Sequence, residues 1–421
     1  MLRLAFLRSP RRPTFPRRPR ADAGRGRRSG VQRQASPRVG LNLIYLVPGE
    51  TGGMEVVARE LIPELLAAAP GVRFTAFVNR EAARAGGGPW GELLPAVTVP
   101  VDARRREQWV LGEQLLLPPM AARSGIELMH SLASTSPAWG PFRRVVTVHD
   151  LIYARFPNAH SGLRDRGMRL LVPLGVRRAA RVIADSQSTR DDLIELLGTP
   201  AEHIDVAPLG LGTVQRHQPR SDERTRERFA LSDRRVLLSL SAKRPHKNLA
   251  ALIGALAHIP AERRPLLVLP GYPTWHEAEL RARAAELGVA DDVRFEGWVQ
   301  AGELEGLWAL ADAFVFPSLY EGFGLPVLEA MARGVPVACA DASSLPEVAG
   351  DAALLFDPRD ERAIAQAIER LLGEPQLARE LRARGVVRAR EFTWARTARL
   401  TLASYARAFG FDGVPDSWAA R

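Results

Sequence analysis

The chain has 421 residues, more than one average domain holds and suited to two of about 170–200 residues. Hydrophobic residues make up 46% and charged residues 25%, ordinary for a soluble globular protein. The formal charge of +11 would suit a nucleic-acid binder, but residues 1–38 alone carry twelve arginines against one acid, Asp22, and the remainder balances 46 basic against 46 acidic residues. The folded body therefore offers nucleic acid no electrostatic hold.

Residues 1–38 are rich in Arg, Pro, Gly and Ser and read as a disordered basic tail. Met1 to Leu7 is too short for the apolar region of a signal peptide. Three roles stay open for the tail: an idle extension or early start codon, a polybasic arm touching anionic lipid, and an Arg-rich organellar transit peptide. No apolar run approaches about 18 residues, so no transmembrane helix is expected.

A first domain is expected over 39–215. Val39 to Val47 reads as a strand, Pro48 to Gly53 as a glycine-rich turn, and Met54 to Ala69 as a helix kinked at Pro63. Such a βα unit leaves backbone N–H groups free for a phosphate near Gly52 and Gly53, although the G-x-G-x-x-G fingerprint is absent. Further strands are predicted at 72–77, 97–101, 126–130, 144–148, 181–184 and 204–206, and residues 84–96 read as a loop. Helical patterns fill most gaps, so the sheet should be parallel and doubly wound. Ligands in such sheets sit beyond the carboxyl ends of strands. His149 falls there after Val145 to Val148, and His130 has a similar place. The run Ala184-Asp185-Ser186-Gln187-Ser188-Thr189 reads as a helix cap, and residues 213–228 as a polar hinge.

A second domain is expected over 216–390. Val236 to Leu240 is a short buried strand, and Asn248 reads as the N-cap of a helix carrying Leu249, Leu252, Ile253 and Leu256. Lys247 then stands at a helix N-terminus, where cation and dipole act together on an anion. Strands follow at 266–269 and 293–295. Ala313 to Pro317 is another buried strand, followed by Tyr320-Glu321-Gly322-Phe323-Gly324-Leu325-Pro326-Val327-Leu328-Glu329, a glycine-bearing loop and helix start that form an anion site. Glu321 and Glu329 bracket that site. Carboxylates accept hydrogen bonds from hydroxyls, so a ligand with both phosphate and sugar fits best. Cys339 lies in the apolar run Val335 to Ala340 and reads as a small core residue, with no partner for a disulfide or a cysteine metal cluster. Helices are expected at 360–372 and 375–391, and a last amphipathic helix within 391–421.

The run E-G-F-G-L-P-x-x-E-A-M-A resembles the donor-site signature of family 4 retaining glycosyltransferases, which have the GT-B fold. Gly334-Val335-Pro336-Val337, Ser343-Ser344-Leu345-Pro346-Glu347-Val348 and Gly350 to Pro358 are similar to that family too, as are Val293-Arg294-Phe295 with Gly297-Trp298-Val299 near the nucleotide base. The resemblance implies two Rossmann-like α/β domains facing across a cleft, with residues 391–421 crossing back onto the first. It implies transfer of a hexose, mannose being favoured, from a nucleoside diphosphate sugar to a saccharide or lipid-linked acceptor, with anomeric retention. Lys247 and the Gly322-Phe323-Gly324-Leu325 loop would hold the diphosphate, Glu329 the ribose and Glu321 the sugar hydroxyls. His149 would lie near the donor sugar, and Gly52 and Gly53 would face donor phosphates and acceptor. The family often has an arginine where Ala242 stands; Lys243 and Arg244 are the nearby stand-ins for that second cation. No metal or other cofactor is expected, and the protein should work in the cytoplasm, with peripheral contact to an anionic membrane. A sugar phosphorylase on the same fold and a non-catalytic nucleotide-sugar binder are the alternatives.

Overall fold

A computed structural model describes residues 36–86, 91–156, 163–212 and 222–419, with the backbone alone at 163–166. The basic tail up to residue 35, the stretch 87–90 and part of the expected hinge, 213–221, lie outside them.

Two parallel sheets organise the described chain. The first comprises β1 (Arg38–Leu43), β2 (Arg73–Val78), β3 (Ala96–Thr98), β4 (Leu128–Ser131), β5 (Arg143–Val148), β6 (Arg181–Ala184) and β7 (Ile204–Val206), in the order β3-β2-β1-β4-β5-β6-β7. The second comprises β8 (Val236–Leu238), β9 (Leu266–Leu269), β10 (Val293–Phe295), β11 (Ala313–Phe316), β12 (Val337–Ala340) and β13 (Ala353–Phe356), in the order β10-β9-β8-β11-β12-β13. The strands of both are mostly short apolar runs because helices cover both sheet faces. Cys339 is buried in β12, and burial pushes its thiol up to about 12. Strand order reverses between β1 and β4 and between β8 and β11, and a crevice opens at each such switch point.

The helices that position the site are α1 (Gly53–Ala68), α2 (Gln187–Leu197), α3 (Leu249–His258), α4 (Leu325–Ala332), α5 (Leu345–Ala349), α6 (Glu361–Gly373), α7 (Pro375–Ala389) and α8 (Trp394–Phe409). The α1 helix runs on through Pro63, which lies on its exposed side, where the carbonyl left without its N–H partner is open to solvent. The first strand ends at Leu43 rather than Val47, because Leu46 N–H turns back onto the Leu43 carbonyl. Asp222–Arg228, expected to belong to a hinge, is helical.

The α8 helix is capped by the Thr393 hydroxyl and stopped by Gly410 in the left-handed region. Its buried stripe packs on α1 and on β5 and β6 of the first sheet. One residue of that stripe, Tyr405, meets His130. His130 is fully buried, with Nδ1 2.7 Å from the Tyr405 hydroxyl and Nε2 2.8 Å from Thr147 Oγ1. Burial, and after it the neighbouring charge of His149, hold its pKa down at about 3. His130 is thus a neutral core histidine tying α8 to the sheet, not a pocket residue. Tyr405→Phe would leave His130 Nδ1 without a partner and should cost about 1–3 kcal/mol. Urea denaturation checks this; an unchanged midpoint would show that the bond contributes nothing.

Candidate active site

The site forms where the carboxyl ends of β8 and β11 face those of the first sheet. Lys247 closes the short 3-10 turn Pro245–Lys247 just ahead of α3, and Glu321 lies in the loop between β11 and α4. Lys247 Nζ donates to Glu321 Oε1 at 2.6 Å, with side chains only 17% and 11% exposed. The ammonium also stands 5.6 Å from the Phe316 ring centroid. Asn248 differs from the sequence reading. It sits in the left-handed region (φ 57°) and gives its side chain not to the helix but to the carbonyls of Pro317 (3.1 Å) and Pro358 (2.7 Å). The turn carrying Lys247 is thereby bound to the strand end that carries Glu321.

Two serines, neither expected as site residues, shape the Glu321 loop. Ser343 Oγ accepts from Glu321 N–H (2.8 Å) and donates to the Glu321 carbonyl (2.6 Å), while Ser344 Oγ lies 2.7 Å from the Phe323 carbonyl. Gly324 adopts φ 113° at the N-cap of α4, a conformation that favours glycine, and leaves the Leu325 N–H toward the loop; Pro326 has no N–H, and the Val327 N–H turns back to the Gly324 carbonyl at 3.0 Å. Glu329, one turn along α4, is half-buried and makes no side-chain hydrogen bond among the described residues. Burial pushes its carboxyl above its ordinary value; Arg333 pulls it down and Glu305 adds to the rise. It is a desolvated acceptor without a donor.

The first lobe contributes His149 and Asp150 at the end of β5. His149 Nδ1 lies 2.6 Å from Asp185 Oδ2 and Nε2 lies 2.7 Å from the Leu132 carbonyl. Burial works against the charged ring, but the Asp185 carboxylate and the Leu132 carbonyl outweigh it and hold the pKa at about 9. Both nitrogens then donate, so the ring is a cation at neutral pH. Burial raises the Asp150 carboxyl above its ordinary value; the Ile152 N–H and the His149 charge lower it, and the charges of Glu321 and Lys247 reach it across the cleft. The lobes touch here: a Cβ on Gly322 would stand 1.8 Å from the His149 carbonyl oxygen, so only glycine fits. Beside it the Tyr320 hydroxyl donates to Asp192 Oδ2 (2.5 Å) and accepts from Leu151 N–H (3.1 Å).

Gly52 (φ 68°) and Gly53 are exposed at the start of α1, on the same edge of the first sheet, with open space where a Cβ would point. Arg244 is half-buried in the extended step before Pro245. Lys243 departs from the expectation. It is fully buried, and its ammonium donates to the Gly271 carbonyl (2.5 Å) and to that of Glu296. Burial lowers its pKa to about 8, against the pull of Glu277 and Glu296. It ties the loops after β8, β9 and β10 together and does not face the cleft as an anion ligand. On those loops Tyr272 and Trp298 stack at 4.7 Å between centroids, 44% and 65% exposed. Asp185 was legible only as part of a helix-cap run; its place at the end of β6, beside β5, was the signal. Among the described residues there is no group of three or more His, Cys, Asp or Glu side chains placed to hold a metal, and no helix long and apolar enough to cross a membrane.

Two facing parallel-sheet lobes with this cleft define a GT-B glycosyltransferase. The chain belongs to the glycosyl transferases group 1 family: that pattern matches residues 221–388, and the pattern described as Glycosyltransferase Family 4 matches residues 51–214. It is 34% identical over 269 residues to the O-antigen chain mannosyltransferase B of Escherichia coli, covering 62% of this chain and 70% of that protein. It is 31% identical over 399 residues to a D-inositol 3-phosphate glycosyltransferase of Frankia alni, covering 86% and 95% respectively. It spans about a third of the length of some longer mannosyltransferases that it also matches. The crystal structure of HepE of Anabaena in complex with UDP and glucose superposes with a TM-score of 0.66 at 19% identity, covering 88% of this chain and all of that one.

The His149–Asp185 pair predicts a pH dependence. The folded-state pKa is raised to about 9 from an ordinary 6.5, so the pair's stabilisation is complete below the unfolded value and is lost as pH rises from there through 9. Asp185→Asn should remove this component, so the stability difference between wild type and variant should shrink between pH 6.5 and 9. A difference that stays constant over that window would show that the pair does not hold the proton.

Proposed function

We propose that this glycosyltransferase moves a hexose, with mannose favoured, from a nucleoside diphosphate sugar to an acceptor hydroxyl with retention, in the assembly of a cell-surface polysaccharide or glycolipid. The observation that carries the reading is the Lys247–Glu321 pair, 2.6 Å apart beside the N-terminus of α4. Without donor the two groups neutralise each other. A nucleotide sugar offers each a better partner: the diphosphate takes the ammonium and the positive end of the α4 dipole, and the sugar hydroxyls take the carboxylate. The order of strands supports a lengthwise placement. The nucleobase lies against Tyr272 and Trp298 beyond β9 and β10, the ribose near Glu329, the diphosphate beyond β8 and β11, and the sugar toward His149. The mannosyltransferase relatives favour mannose, and glycan and phosphoinositol acceptors among the relatives favour a hydroxyl acceptor.

In the reaction the bond from the anomeric carbon to the diphosphate oxygen breaks while the acceptor oxygen bonds to that carbon on the same face. The acceptor proton passes to the leaving diphosphate. Negative charge grows on that diphosphate, where Lys247 and the α4 dipole stabilise it most. Because the chain itself supplies this positive charge, turnover in excess EDTA should stay within about twofold of the untreated rate. The protein works in the cytoplasm, at an anionic membrane surface where its acceptor is lipid-linked.

A nucleotide-sugar panel, read by released nucleoside diphosphate and by the anomeric configuration of the product, tests the reading. Inversion, or turnover only with inorganic phosphate as acceptor, would overturn it. Lys247→Ala should weaken nucleoside diphosphate binding in calorimetry by about tenfold or more. Glu329→Gln should raise the donor KM. Glu321→Gln should lower kcat by roughly tenfold, about 1.4 kcal/mol, with less effect on nucleoside diphosphate affinity. Wild-type constants in all three variants would remove the site assignment.

A further inference from the structure

Two sequence signatures remain outside this chemistry: Ala184-Asp185-Ser186-Gln187-Ser188-Thr189 in the first lobe and Ser343-Ser344-Leu345-Pro346-Glu347-Val348 in the second. They meet across the cleft. The Glu347 carboxylate accepts from the backbone N–H groups of Gln187 (3.0 Å) and Ser188 (3.2 Å), the first two residues of α2. Ser186 Oγ accepts from the third, Thr189 N–H, at 3.0 Å. The opening N–H groups of this helix are thus capped partly from its own lobe and partly from the other. Thr189 is fully buried, and its hydroxyl reaches the carbonyls of Gly322 (3.2 Å) in the second lobe and His149 (3.4 Å) in the first. Glu347 does not float. Arg388 on α7 grips the carbonyls of Glu347 (2.6 Å) and Val348 (3.1 Å).

We propose that Glu347 and Thr189 are positioning residues that couple closure of the two lobes to the orientation of the His149–Asp185 pair. A carboxylate at a helix N-terminus is held both by N–H groups and by the helix dipole. Asp185 directly precedes the cap residue Ser186, so whatever fixes the start of α2 also fixes the carboxylate that holds His149. When the lobes part, Glu347 and the Gly322 carbonyl leave with the second lobe. The α2 N–H groups then turn to water and the Asp185 loop relaxes. The inference rests on the transferase reading in that His149 borders the donor sugar.

The test uses the full chain. In Glu347→Ala, hydrogen exchange should rise about tenfold in the segment 186–190 while the carboxyl-terminal half of α2 stays protected. The ring signals of His149 in NMR of the histidine-labelled protein should shift or broaden. kcat should fall about tenfold with the nucleoside diphosphate Kd within about twofold of wild type, because the second lobe holds the nucleotide by itself. Glu347→Gln, which keeps the reach and one acceptor, should recover part of kcat. Thr189→Val should lower kcat in the same way, and Thr189→Ser should restore it. Unchanged exchange, or an unmoved His149 signal, overturns the coupling, as does a kcat that stays at the wild-type value. If the wild-type protein turns over no nucleotide sugar, the transferase reading fails separately, and exchange and the His149 signal still decide the clasp.

Discussion

The backbone of Gly322 lies against the carbonyl of His149, and the rest of the cleft depends on that approach. Any side chain at 322 would stand in the oxygen, with even a Cβ only 1.8 Å away. The missing atom lets the β11–α4 loop of one lobe reach the end of β5 in the other. Two cationic groups, Lys247 and His149, and two carboxyls, Glu321 and Asp150, then share one partly dry volume. In such a place charges act on one another far more strongly than in water. A ligand that enters must match both signs, and a molecule carrying a diphosphate and a polyol does so.

The loops around that volume are held by buried polar bonds as well as by the packing of Tyr320 and Phe323. Ser343 and Ser344 clamp the Glu321 loop, Asn248 joins the ends of two strands, and Lys243 ties three loops under the aromatic pair. Each of these groups costs free energy to bury and returns it only when its partners are in place. Such a loop keeps one shape. Glu329 differs from these clamps: it is a desolvated carboxyl without a hydrogen-bond donor among the described residues, the property of a group whose donor arrives with the ligand.

The two lobes answer to different physics. Each sheet is stabilised within itself by apolar strands and covering helices, and α8 binds the carboxyl end of the chain to the first sheet through the Tyr405–His130–Thr147 bonds. Between the lobes polar contacts join Glu347 to the start of α2, Tyr320 to Asp192, and Thr189 to Gly322, beside the ring contacts of Phe156 with Tyr320 and His246. The polar members of this interface can exchange their partners for water when the lobes part, which the apolar contacts inside each lobe cannot do.

Sequence alone determined the α/β class and most strands, because runs such as Ala313 to Phe316 and Leu266 to Leu269 are apolar throughout and bounded by turn residues. It also marked Lys247, Glu321 and Glu329 as candidates, because their motifs together resemble the donor site of the family; one such residue alone would have read as structural. It could not assign partners, since the groups that complete the site lie far apart in the chain. Lys243 and Lys247 look alike in one dimension; only the packing of three loops buries the first on carbonyls and leaves the second beside Glu321. His130 and His149 lie at the carboxyl ends of neighbouring strands of the same sheet, yet Tyr405, 275 residues away, makes one a neutral core group, and Asp185, 36 residues away, keeps the other charged. Burial and charge pairing are set by neighbours in space, and those neighbours exist only once the two sheets have formed and closed on each other.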